Sequence, residues 1–407
     1  FPLSNIGPNE FRIGLVVMID CKIVQCSSVE EFLGMEEQWD RLLFDANKEN
    51  IFLTHTWQKT WWRTYGDDKA LWILEAQYGQ RIIGIAPLMM ERSSLGMRRL
   101  AFIGCGELKP EHLDFIVLPD YHQLFVEKCL TYLLQRKSDW DILDLKGLAG
   151  ETPTLAILKS SFPVLVKFQY QIVEYSRCPY IELTDSFEEY IRSRSKNTRR
   201  NLRKRSSRLH REYPEIEKGS IKSADEIDGA FESLVELHQA RWNRLGYPGA
   251  FASELSLEFF QDFLHDGFEQ DTLRMYYIKD RQEYKAIELC FRVGETVYDY
   301  LSGYDEEFAE YSIGTQVLTF SIEQAISDGC REYDLLMGGA KYKFDWASNF
   351  RLDYQAIIAS STPRGNIAWI FWLSKRELRA RLEGLIYNKT LRKIKKELSG
   401  KLPAIFS

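Results

Sequence analysis

The chain predicts an α/β (α+β) protein of two tandem domains, each a mixed β-sheet flanked by helices, with a basic helical tail. Three observations carry this expectation. The 407 residues are too many for one ordinary hydrophobic core and suit two. Two stretches, one in each half, repeat the same order of β-meander, helix and strand. After position 363 the composition turns to a Trp- and Phe-containing segment followed by a strongly basic one.

The first half opens, after a short extension, on a strand at 21–25. Residues 71–78 (LWILEAQY) then alternate in the period of two that places successive side chains on opposite faces. Gly79 and Gln80 make a turn, 81–91 (RIIGIAPLMME) reads as the next strand, and 97–104 (MRRLAFIG) as a third. A helix over 121–137 follows, with Leu124, Phe125, Cys129, Tyr132 and Leu133 at helical spacing, and then a strand at 140–145 (WDILDL). The second half answers with strands at 273–278, 283–293 and 295–303, a helix over 313–327 ended by Gly329, and a strand at 332–337 (EYDLLM). Matching order over the whole unit favours duplication. The expected divisions are 1–28 for the extension and first strand, 29–178 and 179–362 for the two domains, and 363–407 for the tail.

Composition narrows the function. Hydrophobic residues make up 45% and charged residues 28%, a globular profile, and the net charge of −6 argues against a protein that binds polyanions over its whole surface. The 7 Cys form no CxxC pair and no His/Cys spacing suggests zinc, so no metal is expected. Cys21, Cys129, Cys178 and Cys290 lie among apolar neighbours and read as small core residues of a reducing compartment. No uninterrupted apolar stretch is long enough to span a bilayer, and 13–19 is not a convincing signal peptide. The expected location is cytoplasmic, with Met18 as an alternative start.

A meander followed by a helix and another strand is the order of the acyl-CoA-dependent GNAT fold, whose donor-binding helix presents its free N-terminal amides to a pyrophosphate. In more detail the chain resembles the CelD/BcsL-like double-GNAT acetyltransferases associated with cellulose and exopolysaccharide synthesis, a group related to the Fem-type peptidyltransferases. The resembling stretches are LHQARWNRLGYPGAF (237–251), YLSGYDEEFAEYSIGTQVL (300–318) and YDLLMGGAKYKFDWAS (333–348), with weaker echoes in TWQKTWW, GIAPL and HLDFI of the first half. The resemblance implies an N- or O-acyltransferase. It would move an acyl group from acyl-CoA or an acyl-phosphopantetheine carrier protein to a small-molecule, lipid or sugar acceptor in envelope biosynthesis.

Candidate residues follow. Gly314 at a helix start permits close approach of a phosphate, with Ser312 and Thr315 as caps or contacts; the segment has one glycine where the usual donor loop has two. Asp299 is a candidate base, or a solvated or paired strand residue, and Tyr300 or Tyr304 a candidate acid. His238 and Arg241 share one helix face. The family match makes His238 the first choice of general base and places Arg241 and Lys343 near the donor. Asp334 and Tyr342 flank the glycines at 338 and 339 and, with Trp62, His112 and Asp114 of the first half, are candidate acceptor-lining residues; Trp61 and Trp62 read equally as core. The first half, lacking a complete donor loop, would shape the acceptor cleft. No Cys or Ser sits in a nucleophile-elbow context, so direct attack is expected.

Two charged segments remain open. Residues 193–211 hold nine Lys or Arg and no acid. They read as a solvated helix, as a surface for CoA phosphates, a carrier protein or an anionic lipid, or as a tRNA site, which the scarcity of aromatics disfavours for single strands. The tail reads either as an amphipathic helix on an anionic membrane or as one packed on the body. A Fem-like tRNA-dependent transferase and a non-catalytic scaffold are the alternatives to acyl transfer.

Overall fold

The structure is a computed structural model that describes residues 21–79, 81–161, 168–338 and 341–378. The strands of the first half are β1 (Cys21–Cys26), β2 (Ala70–Leu71), β3 (Ile73–Tyr78), β4 (Arg81–Ala86), β5 (Leu88–Arg92), β6 (Arg98–Phe102), β7 (Ile116–Val117) and β8 (Ile142–Ala149). Then come β9 (Gln169–Glu182), β10 (Ile216–Ser220), β11 (Leu273–Asp280), β12 (Glu283–Val293), β13 (Thr296–Tyr304), β14 (Glu332–Asp334) and β15 (Asn349–Ala359).

The segment expected to be one strand over 81–91 is two. Pro87 parts β4 from β5; β4 joins a four-stranded sheet in the order β1-β3-β4-β7, while β5 joins the large one. That sheet has eleven strands in the order β10-β11-β12-β13-β14-β9-β15-β8-β6-β5-β2. Period-two alternation continues across the proline, so the pattern cannot reveal that its two ends serve different sheets.

The two halves repeat in pairing as well as in order. In each, the last strand of the meander is followed, after the short β7 in the first half, by a helix (His122–Gln135 or Ile313–Ser327) and then by a strand parallel to it. β6 meets β8 over Arg99–Ala101, and β13 meets β14 over Thr296–Tyr298, three residues each time. The halves are also stitched together. β15, the last strand of the second half, lies antiparallel between β8 and β9. The expected division at 178/179 falls inside β9, whose residues Tyr180–Glu182 pair with β14 while the stretch from Gln169 to Tyr180 pairs with β15.

One hydrophobic core runs through both halves. Trp57, on the His55–Tyr65 helix, is fully buried, with its ring centroid 4.9 Å from those of Phe259 and Phe263 on the Glu254–Glu269 helix. Aromatic residues of both halves thus pack against one another across this seam. None of the seven cysteines is in a disulfide, and all are buried. Among the described residues no helix is long and apolar enough to cross a membrane. The tail helix at 363–378 rests on the body through Ala368 and Trp372, leaving Ile367, Ile370 and Phe371 exposed; the basic segment beyond lies outside the described residues.

Candidate functional site at the splayed strands

Beyond Tyr298 and Asp334, β13 and β14 share no further ladder pairs. On the other side β13 carries a bulge: Leu289 faces Leu301 and Cys290 faces Asp299, leaving Tyr300 as the extra residue. One extra residue shifts the alternation by one. Asp299 thereby shares a face with Ser302 and Tyr304, while Tyr300 turns to the opposite side.

The Ile313–Ser327 helix starts beside this opening. Ser312 precedes it in a left-handed conformation (φ 51°), and its side chain makes no capping hydrogen bond. Its hydroxyl instead accepts from Arg205 of the Lys196–Glu212 helix. The first amides of the helix are thus left without a side-chain partner, at the positive end of its dipole. A pocket of ≈ 190 Å³ lies against them, lined by Ser312, Gly314 and Thr315 and closed by Arg241, Tyr304 and Tyr342. A Cβ on Gly314 would come within 3.0 Å of the Tyr304 ring, so glycine keeps the floor of the pocket low. Arg241 lies over the Tyr304 ring at 4.9 Å and forms no ion pair among the described residues.

A splayed parallel pair facing an uncapped helix N-terminus is the arrangement expected from the strand order. Residues 196–344 match the acetyltransferase (GNAT) domain family. No curated protein matches the sequence. Among solved structures the chain is similar to FemX (12% identity, TM-score 0.56, covering 82% of this chain and 96% of that one). It is also similar to a conserved protein of unknown function from Bacteroides thetaiotaomicron (12%, 0.53, 83% and 100%). A third is the C-terminal domain of a putative lysylphosphatidylglycerol synthetase from Agrobacterium fabrum (9%, 0.51, 84% and 96%). At these identities the likeness is one of fold.

Within the matched residues the pocket holds a side chain that sequence reading missed. Glu288, on β12 opposite Ser302, is buried and lines the pocket. Asp299, also buried, lies beside it on the adjacent strand, and Oε2 of Glu288 has no hydrogen-bond partner among the described residues. Burial, and then the charge of Asp299, push the Glu288 pKa well above the usual carboxylate range. Burial raises Asp299 too, partly offset by the nearby Lys343 ammonium. The two carboxyls therefore titrate together, each favouring its protonated form more than a free carboxyl does. The one signal for Glu288 was a carboxylate inside an otherwise apolar strand (AIELCF). Lys343 is held in place by donating to the carbonyls of Leu335 and Met337.

Several expected site residues lie elsewhere. His238 is buried; its Nδ1 bonds to the Ser302 carbonyl at 2.9 Å and its Nε2 accepts the Ala250 amide at 3.2 Å. With both ring nitrogens taken, and burial lowering its pKa, it is a neutral brace between helix, strand and loop, with no free nitrogen for a general base. Tyr300 donates to the Leu108 carbonyl at 2.8 Å and packs among Phe52, Trp57 and Phe260, away from the pocket. Trp62 is buried in the first-half core, near Phe32. Asp114 is buried in an ion pair with Lys48 at 2.6 Å.

His112 and Asp334 do meet, 3.1 Å apart, but both are buried in the seam. His112 Nδ1 lies 2.8 Å from Asp353 Oδ1, so one imidazole bridges two carboxylates from β14 and β15. Burial opposes its charge, yet the two carboxylates hold its pKa well above the usual histidine value. Neighbouring Glu111 accepts the Met337 amide and a Cys178 thiol contact at 3.0 Å. These acidic and basic groups satisfy one another and tie the first half to the second.

Proposed function

We propose that the chain is an acyltransferase of the GNAT type that moves an acyl group from a pantetheine thioester to an amine or hydroxyl. The observation that carries this reading is the uncapped start of the Ile313–Ser327 helix, with Gly314 open to the pocket, beside the splayed strands. Phosphate oxygens of the donor would accept from the free amides and from Arg241. The opened edge of β13 offers backbone groups to the pantetheine amides.

The Glu288–Asp299 pair supplies the base. Glu288 meets the pocket and Asp299 stands behind it, so a proton taken from the acceptor reaches the pair as the nucleophile attacks the thioester carbon. The new C–N or C–O bond forms, the C–S bond breaks, and the leaving thiolate takes a proton, for which Tyr304 is the hydroxyl at hand. Lys343 stabilises the ionised form of the pair. No acyl-enzyme is required, since the buried thiol of Cys290 sits on the strand behind, against Tyr333. The resemblance to CelD/BcsL-like proteins supports an acceptor from envelope polysaccharide or lipid synthesis.

The test is calorimetric titration of acetyl-CoA, a long-chain acyl-CoA and free CoA into the protein and into Gly314→Trp. The expected result is binding that the tryptophan abolishes by filling the pocket against Tyr304. Absence of binding to all three would sink the thioester-donor reading and turn attention to a charged tRNA.

A further inference from the structure

The Lys196–Glu212 helix presents its charges in two groups. Arg208 pairs with Glu212 at 3.0 Å and with Glu310 at 2.7 Å, and Arg211 pairs with Glu212. These lie in the last turns, where cations also suit the helix dipole. Lys196, Arg199, Arg200, Arg203 and Lys204 have no carboxylate partner among the described residues and are exposed or half-exposed. Their spacing of i, i+3, i+4, i+7 and i+8 puts them along one face for about 12 Å. The stripe leads to Arg205, whose guanidinium reaches the Ser312 hydroxyl at the mouth of the pocket.

This placement works against the helix itself. The first turn contains no acid, so the positive end of the dipole meets positive side chains. Three like-charged pairs four residues apart (196 and 200, 199 and 203, 200 and 204) repel one another. The chain as a whole is acidic, with a net charge of −6. A cationic face that folding does not favour, and that internal carboxylates leave unmatched, is one arranged for an external anion. One phosphate needs two or three cations; five in a row match a row of carboxylates on an acidic helix.

Resting on the acyl-transfer reading, we propose that this face docks an acidic acyl carrier protein, aligned so that its phosphopantetheine arm enters the pocket beside Ser312. A donor delivered this way brings one phosphate to the helix start and leaves the remaining recognition to a protein surface. That division suits a donor loop with a single glycine.

The experiment measures binding of a bacterial type II acyl carrier protein, in holo and apo forms, to the protein and to the triple variant Arg200→Glu/Arg203→Glu/Lys204→Glu. A second variant, Arg200→Gln/Arg203→Gln/Lys204→Gln, removes charge without reversing it, and circular dichroism checks the fold of both. The expected result is carrier binding that weakens as salt rises and falls at least tenfold in both variants, with acetyl-CoA affinity unchanged within about twofold. Apo-carrier binding lost in the variants supports the surface independently of the pocket, which Gly314→Trp and acetyl-CoA test separately. Equal loss of acetyl-CoA affinity would assign the stripe to the nucleotide's own phosphates and overturn the proposal. So would carrier binding insensitive to the triple change, absence of carrier binding, or tighter salt-sensitive binding of bulk tRNA than of the carrier.

Discussion

The imidazole of His238 and the carboxyl of Glu288 lie on either side of Ser302, and their surroundings assign them opposite tasks. His238 is fixed by two backbone groups. His238→Ala should therefore lower stability by about 2 kcal/mol, seen as an earlier urea midpoint, while the pH dependence of transfer keeps its shape. Glu288 faces the pocket with an oxygen to spare. Glu288→Gln should cut the transfer rate about a hundredfold at an unchanged fold. Burial raises the Glu288 pKa and the charge of Asp299 raises it further; Asp299→Asn removes that second contribution, so the acid limb of the pH–rate profile should move to lower pH. Lys343→Met should move it to higher pH, because the ammonium favours the ionised pair. A limb that stays put in both would refute the pair as the base. The sequence put His238 first as the base, with Asp299 as the other candidate and Tyr300 as an acid, because residue type and spacing do not show which face of a bulged strand a side chain takes.

Elements set the geometry of the pocket. The Ile227–Arg244 helix crosses β13 at Gly303, where a Cβ would stand 2.9 Å from the His238 backbone nitrogen and 3.0 Å from the Leu234 carbonyl. This close approach brings Arg241 over Tyr304. Gly303→Ala should push the helix outward, lowering stability by about 1–3 kcal/mol and weakening acetyl-CoA binding through displacement of Arg241. Thermal unfolding and calorimetry on the same variant check both effects. At this scale much was legible. The bounds of β12 and of the Ile313–Ser327 helix coincide with those expected from their periodicity. The split of β4 from β5 was not, since a change of sheet leaves the alternation intact. Nor was the lone start of the 313–327 helix, where Ser312, a residue suited to capping, serves Arg205 instead.

At the scale of the molecule, the seam between the halves is a pH-sensitive joint. Burial raises the Glu111 pKa from 4.5 to about 7, so the folded state holds a proton there that the unfolded chain releases earlier. Its contribution is complete below pH 4.5 and is lost as pH rises to about 7, a change of about 3 kcal/mol at 1.4 kcal/mol per pH unit. His112, raised by Asp334 and Asp353, contributes fully below pH 6.5, and that contribution is lost as pH rises through its elevated folded value. The denaturant midpoint should therefore fall from pH 5 towards alkaline values, and Glu111→Gln should flatten the portion below pH 7. The sequence by itself determined the repeated order of meander, helix and strand, because side-chain periodicity is a local property written residue by residue. It also pointed to the open helix start at Gly314, because a glycine there leaves room beside the backbone. Only the tertiary structure decided that Glu288 belongs with Asp299, that His112 meets Asp334 and Asp353, and that β15 closes the sheet between β8 and β9. Those contacts join residues 11 to more than 200 positions apart, and they form only when burial removes water from charged groups and leaves them no partners but one another.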